Sequence, residues 1–225
     1  MSQSPAPNGR RRDAERTRAE ILEVAQREFA RHGYAGARVD EMAALMRTTK
    51  RMIYYYFGAK EKLYIAVLEK AYTEVRTAES TIDVQHLAPV EAIRTLAELT
   101  FDHHDAHPDF IKLVSIENIH QAEHLRRSEM LTNLGGPVTG LISQILEAGR
   151  ASGDFVTDAD AVDVHMMISA LCVFRIANQY TFGALFGRDL TAPEHRARHR
   201  EMTGEAVVAY LTGNGRRLSG QVKAG

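Results

Sequence analysis

A single cysteine, Cys172, in 225 residues excludes an intramolecular disulfide and any zinc site built on several thiolates. It sits in the apolar run ALCVF and reads as a small buried residue rather than a redox sensor. No window approaches the ~20 consecutive apolar residues of a membrane span, so no membrane partner is expected. The first residues, MSQSPAPNGRRRDAERTR, lack the apolar stretch of a secretory signal and read as a flexible arm. Cytoplasm is therefore the expected compartment. A nucleophile elbow, a P-loop, a dinucleotide fingerprint and an HExxH metal motif are all missing. The chain is accordingly not expected to be an enzyme, and no cofactor is expected. Sustained two-residue alternation between turn signals is missing too, which leaves no candidate sheet.

What is present is helical periodicity, and it predicts an all-α chain of about nine helices. The first spans Asp13–Arg31, burying Ile21, Leu22, Ala25, Phe29 and Ala30, and stops at His32-Gly33. Val39–Met46 and Thr49–Phe57 follow as short helices, with Thr49 as an N-cap. Gly58 separates them from a longer helix beginning near Lys60 and reaching Thr81. Later patterns cover Pro89–Asp105, Asp109–Gln121, Leu125–Leu134 (closed by Gly135-Gly136-Pro137), Val138–Ala151, the strongly apolar Ala159–Phe182, and Pro193 or Glu194 to Leu211. This divides the chain into a flexible basic arm (1–12), a helix-turn-helix unit (13–60), a larger helical part (61–213) and a flexible tail (214–225).

Charge is distributed unevenly. Residues 1–64 carry 13 Lys/Arg against 8 Asp/Glu, and residues 65–225 carry 15 against 21, so the first quarter alone suits a polyanion. Within it, residues 38–60 place an apolar helix, a tight turn and a basic, tyrosine-rich helix in succession. Met42, Ala43, Met46, Ile53 and Phe57 fall on faces that pack against Val24 and Phe29. Lys50, Arg51, Met52, Tyr55 and Tyr56 are left pointing outward. A recognition helix enters the major groove with its N-terminal residues towards base edges. Arg51 then suits guanine O6/N7, Lys50 a guanine or a phosphate, and Met52 a thymine methyl. Tyr54, Tyr56 and Lys60 are placed for phosphates. Arg10, Arg11 and Arg12 either settle in an adjacent minor groove or onto phosphates, or simply solubilise the arm.

The run RAEILEVAQREFARHGYAGARVDEMAALMRTTKRMIYYYFGAKEKLYIAVLE closely resembles the N-terminal domain of TetR/AcrR-family transcriptional regulators, without gaps from Ile21 to Leu68. Ile21-Leu22, Ala25, Phe29-Ala30, Gly33-Tyr34, Val39, Met42-Ala43, Tyr54, Phe57, Lys60-Glu61 and Leu63 carry the likeness. The resemblance implies base contacts from Lys50, Arg51, Met52 and Tyr55, and phosphate contacts from Thr49, Tyr54, Tyr56 and Lys60. Two positions depart from the family pattern. Arg38 stands where Ser or Thr usually caps the second helix, losing a cap while offering a phosphate contact. Arg47 stands where Gly is common in the turn, so a different turn geometry is expected.

The same resemblance implies a ligand-binding and dimerisation part, with the dimer formed by the helices at Asp158–Phe182 and Glu194–Leu211. It also implies release of operator DNA when effector binding moves the Glu61–Thr81 helix. The chain is thus expected to be a homodimeric, ligand-responsive regulator, a repressor of transcription. The alternative is a helical effector- or metal-binding dimer with vestigial DNA binding. Candidate ligand-binding residues are Phe101, Phe110, Glu117, Asn118, His120, Met167, Phe174, Arg175 and Asn178. Met166, Tyr180 and Phe182 are further apolar candidates, with plain core packing as the alternative. A buried Arg175 must be paired, either with an anionic effector or across the dimer with an acid such as Glu117. With Asn178 it points to a small organic or aromatic acid as effector. The i, i+4 pairs His103/His107, His120/His124 and His195/His199 can ligate zinc or nickel or lie on the surface; no metal is assigned.

Overall fold

Helix α1 begins at Pro7 rather than at Asp13. The computed structural model describes residues 7–81 and 86–213, with side chains from residue 11 onward. The expected tail at 214–225, the start of the expected arm and the Arg10 side chain lie outside the described residues. Arg11 and Arg12 lie inside the helix and are exposed, since residues 7–12 of the expected arm belong to it. Proline tolerates a first turn, where its missing N–H has no partner, and ion pairs stitch the next turns: Arg11 to Glu15 at 3.0 Å, Arg16 to Asp13 at 3.3 Å and to Glu20 at 3.7 Å.

The described residues pack as two compact units, 7–72 with 112–132, and 73–81 and 86–111 with 133–213. The segment 112–132 thus groups with the N-terminal helices, whereas the sequence division placed it in the larger C-terminal part. In the first unit, α1 (Pro7–Gly36) breaks at Gly33, whose φ of 69° and ψ of 173° suit a residue without Cβ. Helices α2 (Val39–Leu45) and α3 (Lys50–Phe57) follow, and α4 (Lys60–Glu79) begins after Gly58. Ile21, Ala25, Phe29, Val39, Met42, Ala43, Ile53 and Phe57 form its buried interior.

The second unit is built on α5 (Pro89–Ala106), α8 (Gly135–Ser152), α9 (Ala161–Ala177), α10 (Gln179–Phe186) and α11 (Pro193–Thr212). Ile93, Leu96, Phe101, Ile142, Ile145, Val164, Ile168, Cys172 and Val207 share one apolar core. Gly149 of α8 packs too closely to admit a side chain: the Phe155 ring fills the space a Cβ would need, with Cδ2 only 2.1 Å from that position. Helix α6 (Pro108–Ile119) and the short α7 (Glu129–Asn133) complete the set.

Three expected helices differ in form. Gly135-Gly136-Pro137 opens α8 instead of closing the previous helix, because proline fits a first turn. The expected Leu125–Leu134 helix is a 3-10 turn, Leu125–Arg127, followed by α7. Ser128 accepts the Leu131 N–H at 3.2 Å and restarts the chain there. The long Ala159–Phe182 helix is two helices, α9 and α10, bent by 68° at Asn178. Asn178 and Gln179 turn their amides onto the carbonyls of Phe174 and Ile176 and compete with the helix there. Asp160 caps α9, accepting the N–H groups of Val162 and Asp163 at 2.8 Å each. Among the described residues there is no strand, and no single helix is long and apolar enough to cross a membrane.

Candidate nucleic-acid interface

The turn between α2 and α3 is fixed by backbone hydrogen bonds. The N–H of Thr48 reaches the carbonyl of Ala43 at 2.9 Å, and that of Arg47 reaches Ala44 at 3.1 Å. This double bond pattern is a Schellman stop, which requires a left-handed residue at Arg47. Arg47 supplies it with φ of 53°. The glycine-type turn geometry is therefore kept without glycine, contrary to the expectation that it differs. A left-handed L-residue costs about 1–2 kcal/mol, and glycine's extra freedom in the unfolded chain takes back about 0.5–1 kcal/mol. Arg47→Gly is therefore expected to stabilise the protein by about 0.5–1 kcal/mol, measurable as a rise in the midpoint of urea unfolding.

Thr49 has extended backbone angles, and its hydroxyl accepts the Met52 N–H at 3.3 Å. That cap leaves the hydroxyl proton available as a donor. Arg38, at the matching position before α2, makes no side-chain cap bond; it is exposed and lies 3.9 Å from Glu41. With Ile53 and Phe57 directed inward, helical spacing turns Lys50, Arg51, Met52 and Tyr55 to solvent, and Tyr55 is 79% exposed. Lys50 sits 3.2 Å from Asp40, an exposed pair that costs little to open. Tyr54 and Tyr56 are half-buried, and Tyr56 stands edge-on to Tyr55 at 5.3 Å. Lys60 donates to the Ala35 carbonyl at 3.4 Å and lies 4.8 Å from the centre of the Tyr34 ring. Burial lowers its pKa.

The surface is thus an exposed row of hydrogen-bond donors and apolar tips flanked by half-buried phenols and a held ammonium. One of its members escaped the sequence reading. Arg47, read only as a departure from pattern, presents an exposed cation in the turn.

The nine candidate ligand residues are divided between the two units. Glu117, Asn118 and His120 belong to the first unit, the other six to the second. Glu117 is buried, 3.2 Å from Nδ1 of His124, and accepts the Leu125 N–H at 3.1 Å. The His124 ring packs on Tyr34 and Tyr64. Asn118 and His120 are exposed, and Asn118 bonds the Val114 carbonyl of its own helix. The three residues therefore face different ways. His120 and His124 are not a matched pair either, one being exposed and one buried.

In the second unit Arg175 is 5% exposed and donates from both terminal nitrogens to Asp105, at 2.6 and 2.5 Å. Its guanidinium lies 4.6 Å from the Phe101 ring centre. Arg196 bridges Asp105 and Asp102, and Arg200 bridges Asp102 and Glu98. The partner of Arg175 is thus an acid of its own unit rather than Glu117. Phe101 and Phe110 are buried, Met167 packs against the core, and Asn178 ends α9. Phe174 lies on the opposite face of α9, where Val162, Met166, Ala170, Phe174 and Ala177 form an exposed apolar stripe. His103 and His107 stack at 4.3 Å, and His195 lies 5.8 Å from His199. Among the described residues no three His, Cys, Asp or Glu side chains gather to hold a metal ion.

Comparison with known proteins agrees with this arrangement along most of the chain. Residues 21–67 match the family model of bacterial regulatory proteins of the tetR family, and residues 89–207 match that of the tetracyclin repressor-like C-terminal domain. The chain is 37% identical over 188 residues to the helix-turn-helix transcriptional repressor NicS of Pseudomonas putida, covering 84% of this chain and 89% of that protein. It is 40% identical over 110 residues to a second repressor, SCO4008 of Streptomyces coelicolor, covering 48% and 53%. Among solved structures, a transcriptional regulator from Streptomyces coelicolor superposes with a TM-score of 0.65 at 28% identity, over 87% of this chain and 98% of that one. A protein of the same family from Rhodococcus does so at 0.68 and 20% identity, over 86% and 96%, which speaks for the fold alone. The chain belongs to the TetR family of transcriptional regulators, all-α proteins with an N-terminal helix-turn-helix and a C-terminal helical domain.

Proposed function

We propose that this protein is a homodimeric repressor that holds operator DNA through α3 and releases it when a small organic acid binds the second unit. The observation that carries the reading is the exposed row Lys50, Arg51, Met52 and Tyr55, set on a helix whose opposite face is buried. In this reading those four side chains address base edges. Arg38, Thr49, Tyr54, Tyr56 and Lys60 hold phosphates, and the exposed Arg11 and Arg12 of α1 add to the non-specific attraction. The tetR-family match and the resemblance to named repressors support repression as the outcome.

Two recognition helices are needed for a two-fold operator, and a second copy supplies the other. Helix α9 buries Val164, Ile168, Cys172 and Ile176 while presenting the apolar stripe from Val162 to Ala177 on its other side. Tyr180, Leu185 and Phe186 of α10, and Met202 and Tyr210 of α11, are likewise exposed. So large an apolar surface supports a covered interface. Phe174→Glu is expected to raise the dimer dissociation constant at least tenfold, read by sedimentation equilibrium. Unchanged dimerisation would remove this face from the account.

Release requires that the effector favour one conformation of the dimer by a few kcal/mol. In this reading α4, which follows the recognition helix, carries the displacement. Footprinting on DNA upstream of the protein's own gene tests the whole. Protection of two half-sites one helical turn or a multiple apart is expected, and protection independent of sequence would count against it.

A further inference from the structure

The strongest unassigned polar cluster of the second unit lies between the end of α4 and the start of α8. A cleft of about 330 Å³ is lined there by Arg76, Glu79, Ser80, Pro137, Leu141 and Gln144, among others. Arg76 and Glu79 approach to 2.8 Å, yet neither Arg76 Nη1 nor Glu79 Oε2, both buried, completes a hydrogen bond. Glu79 is only 4% exposed, and burial pushes its carboxyl up to about 7 despite the guanidinium beside it. The charge of Arg76 is also felt by three imidazoles of the same unit. His104 is 5% exposed and His103 is half-buried, each with an unpartnered Nδ1. Burial lowers His104 to about 3 and His103 to about 4, and it lowers His165 as well. The positive field of Arg76 contributes to all three. Around neutral pH this corner therefore holds one permanent cation, neutral imidazoles and a carboxylate that is only half ionised. Its charge is open to an incoming anion.

We propose that this cleft is the effector site and that Arg76 takes the carboxylate of a small organic acid there, displacing Glu79 as its counterion. The assignment rests on the reading of the second unit as the effector-binding part, and it moves the anion anchor from Arg175 to Arg76. Both terminal nitrogens of Arg175 already donate to Asp105 and only its Nε lacks a partner, whereas Arg76 Nη1 and Glu79 Oε2 face each other without completing a hydrogen bond. A guanidinium takes a carboxylate through two parallel N–H bonds, a geometry Glu79 does not reach. Pro137, Val138 and Leu141 supply an apolar wall for the rest of the ligand. Once displaced, an ionised Glu79 loses its stabilising cation and takes a proton from solvent, so binding takes up close to one proton well above pH 7 and none below it, where Glu79 is already protonated.

The pH dependence follows from Glu79 and the groups coupled to Arg76. Arg76 itself faces Glu79 on α4; the groups coupled to it are His103 and His104 on α5 and His165 on α9, with Glu74 of α4 acting on His103, and the described α8 residues of the cleft carry no charge. The acid ligand, with a pKa of about 4, stays ionised above pH 6. Neither His103 nor His104 titrates there. Glu79 does, so affinity tightens as pH falls from 9 towards 7 and levels below that. In Glu79→Gln the competing charge is gone, so binding is tight at pH 9 and flat with pH.

The test is a thermal-shift screen of the full-length protein with a set of small carboxylates, including benzoate, phenylacetate and hexanoate, each beside its carboxamide. At least one acid should raise the melting temperature by about 5–10 °C at a hundredfold excess over its Kd, and its amide should not. The shift should vanish in Arg76→Met/Glu79→Gln, a pair that buries no unmatched charge, and should persist at pH 9 in Glu79→Gln. If no acid acts, if the amides act equally, or if the double variant keeps the response, the site is overturned. Operator affinity of the unliganded protein is measured beside it and judges the regulator reading separately.

Discussion

Replacing Arg51 and Tyr55 together by alanine is expected to lower operator affinity by about 30-fold to 10⁴-fold while leaving the protein folded. A bidentate arginine–base contact contributes about 1–3 kcal/mol of discrimination, and each 1.4 kcal/mol is tenfold in affinity. The dimer carries the change at both half-sites, so the loss is counted twice. Both side chains are exposed, and α3 is anchored by Ile53 and Phe57 on the other side. Surface substitutions of this kind change stability by about 0.5 kcal/mol or less. Electrophoretic mobility shift with operator and with scrambled duplex separates the outcomes. Operator affinity should fall towards the scrambled value, which itself should change little. Equal losses on both duplexes would mean that the two residues hold phosphates rather than read bases.

Asp105→Ala is expected to destabilise the second unit by about 3 kcal/mol. It strips both hydrogen bonds from Arg175, a guanidinium only 5% exposed, and one from Arg196. An uncompensated buried charge costs about 3–5 kcal/mol; the lower end applies because Asp105 itself is partly exposed. Adding Arg175→Met removes the orphan cation and keeps much of its volume against Phe101. The double variant should therefore recover most of the loss. Urea unfolding of the four proteins gives the coupling directly. A double variant as unstable as Asp105→Ala would show that the damage comes from the bonds of Arg196 and not from burial of Arg175. Either way, Arg175 is spoken for within its own chain, so its removal should be felt first in stability.

The first three helices were legible because their information is local. Apolar spacing located α2 and α3, and the Thr49 cap and Gly58 stop lie at their ends. Arg47 shows the limit of such reading. Sequence said that glycine was missing from the turn, but only the backbone bonds of Thr48 and Arg47 show that the turn keeps its form at a cost. Arg175 was recognisable as a polar residue that needed a partner, yet that partner lies 70 residues away on α5, a distance no periodicity bridges. Glu117 was noticed for the same reason and named as one of two alternatives for pairing Arg175; His124 holds it here, reaching it only after the chain turns through Gln121 and Ala122 with positive φ. Arg76 and Glu79 passed unnoticed, being spaced like any surface ion pair on a helix. Their burial and the imidazoles of α5 and α9 make them unusual, and tertiary packing alone creates both. The break at Asn178 was missed because an apolar run of helix formers hides a bend set by two side-chain amides.

The central claim is that α3 of this protein reads a DNA sequence. Its most direct test is the affinity of the wild-type dimer for its own upstream DNA and for a scrambled duplex of equal length, across a series of salt concentrations. The account predicts affinity for the upstream site at least about 10³-fold above that for the scrambled duplex at physiological salt, with both falling linearly in log–log form as salt rises. Equal affinity for the two duplexes at every salt concentration would contradict it.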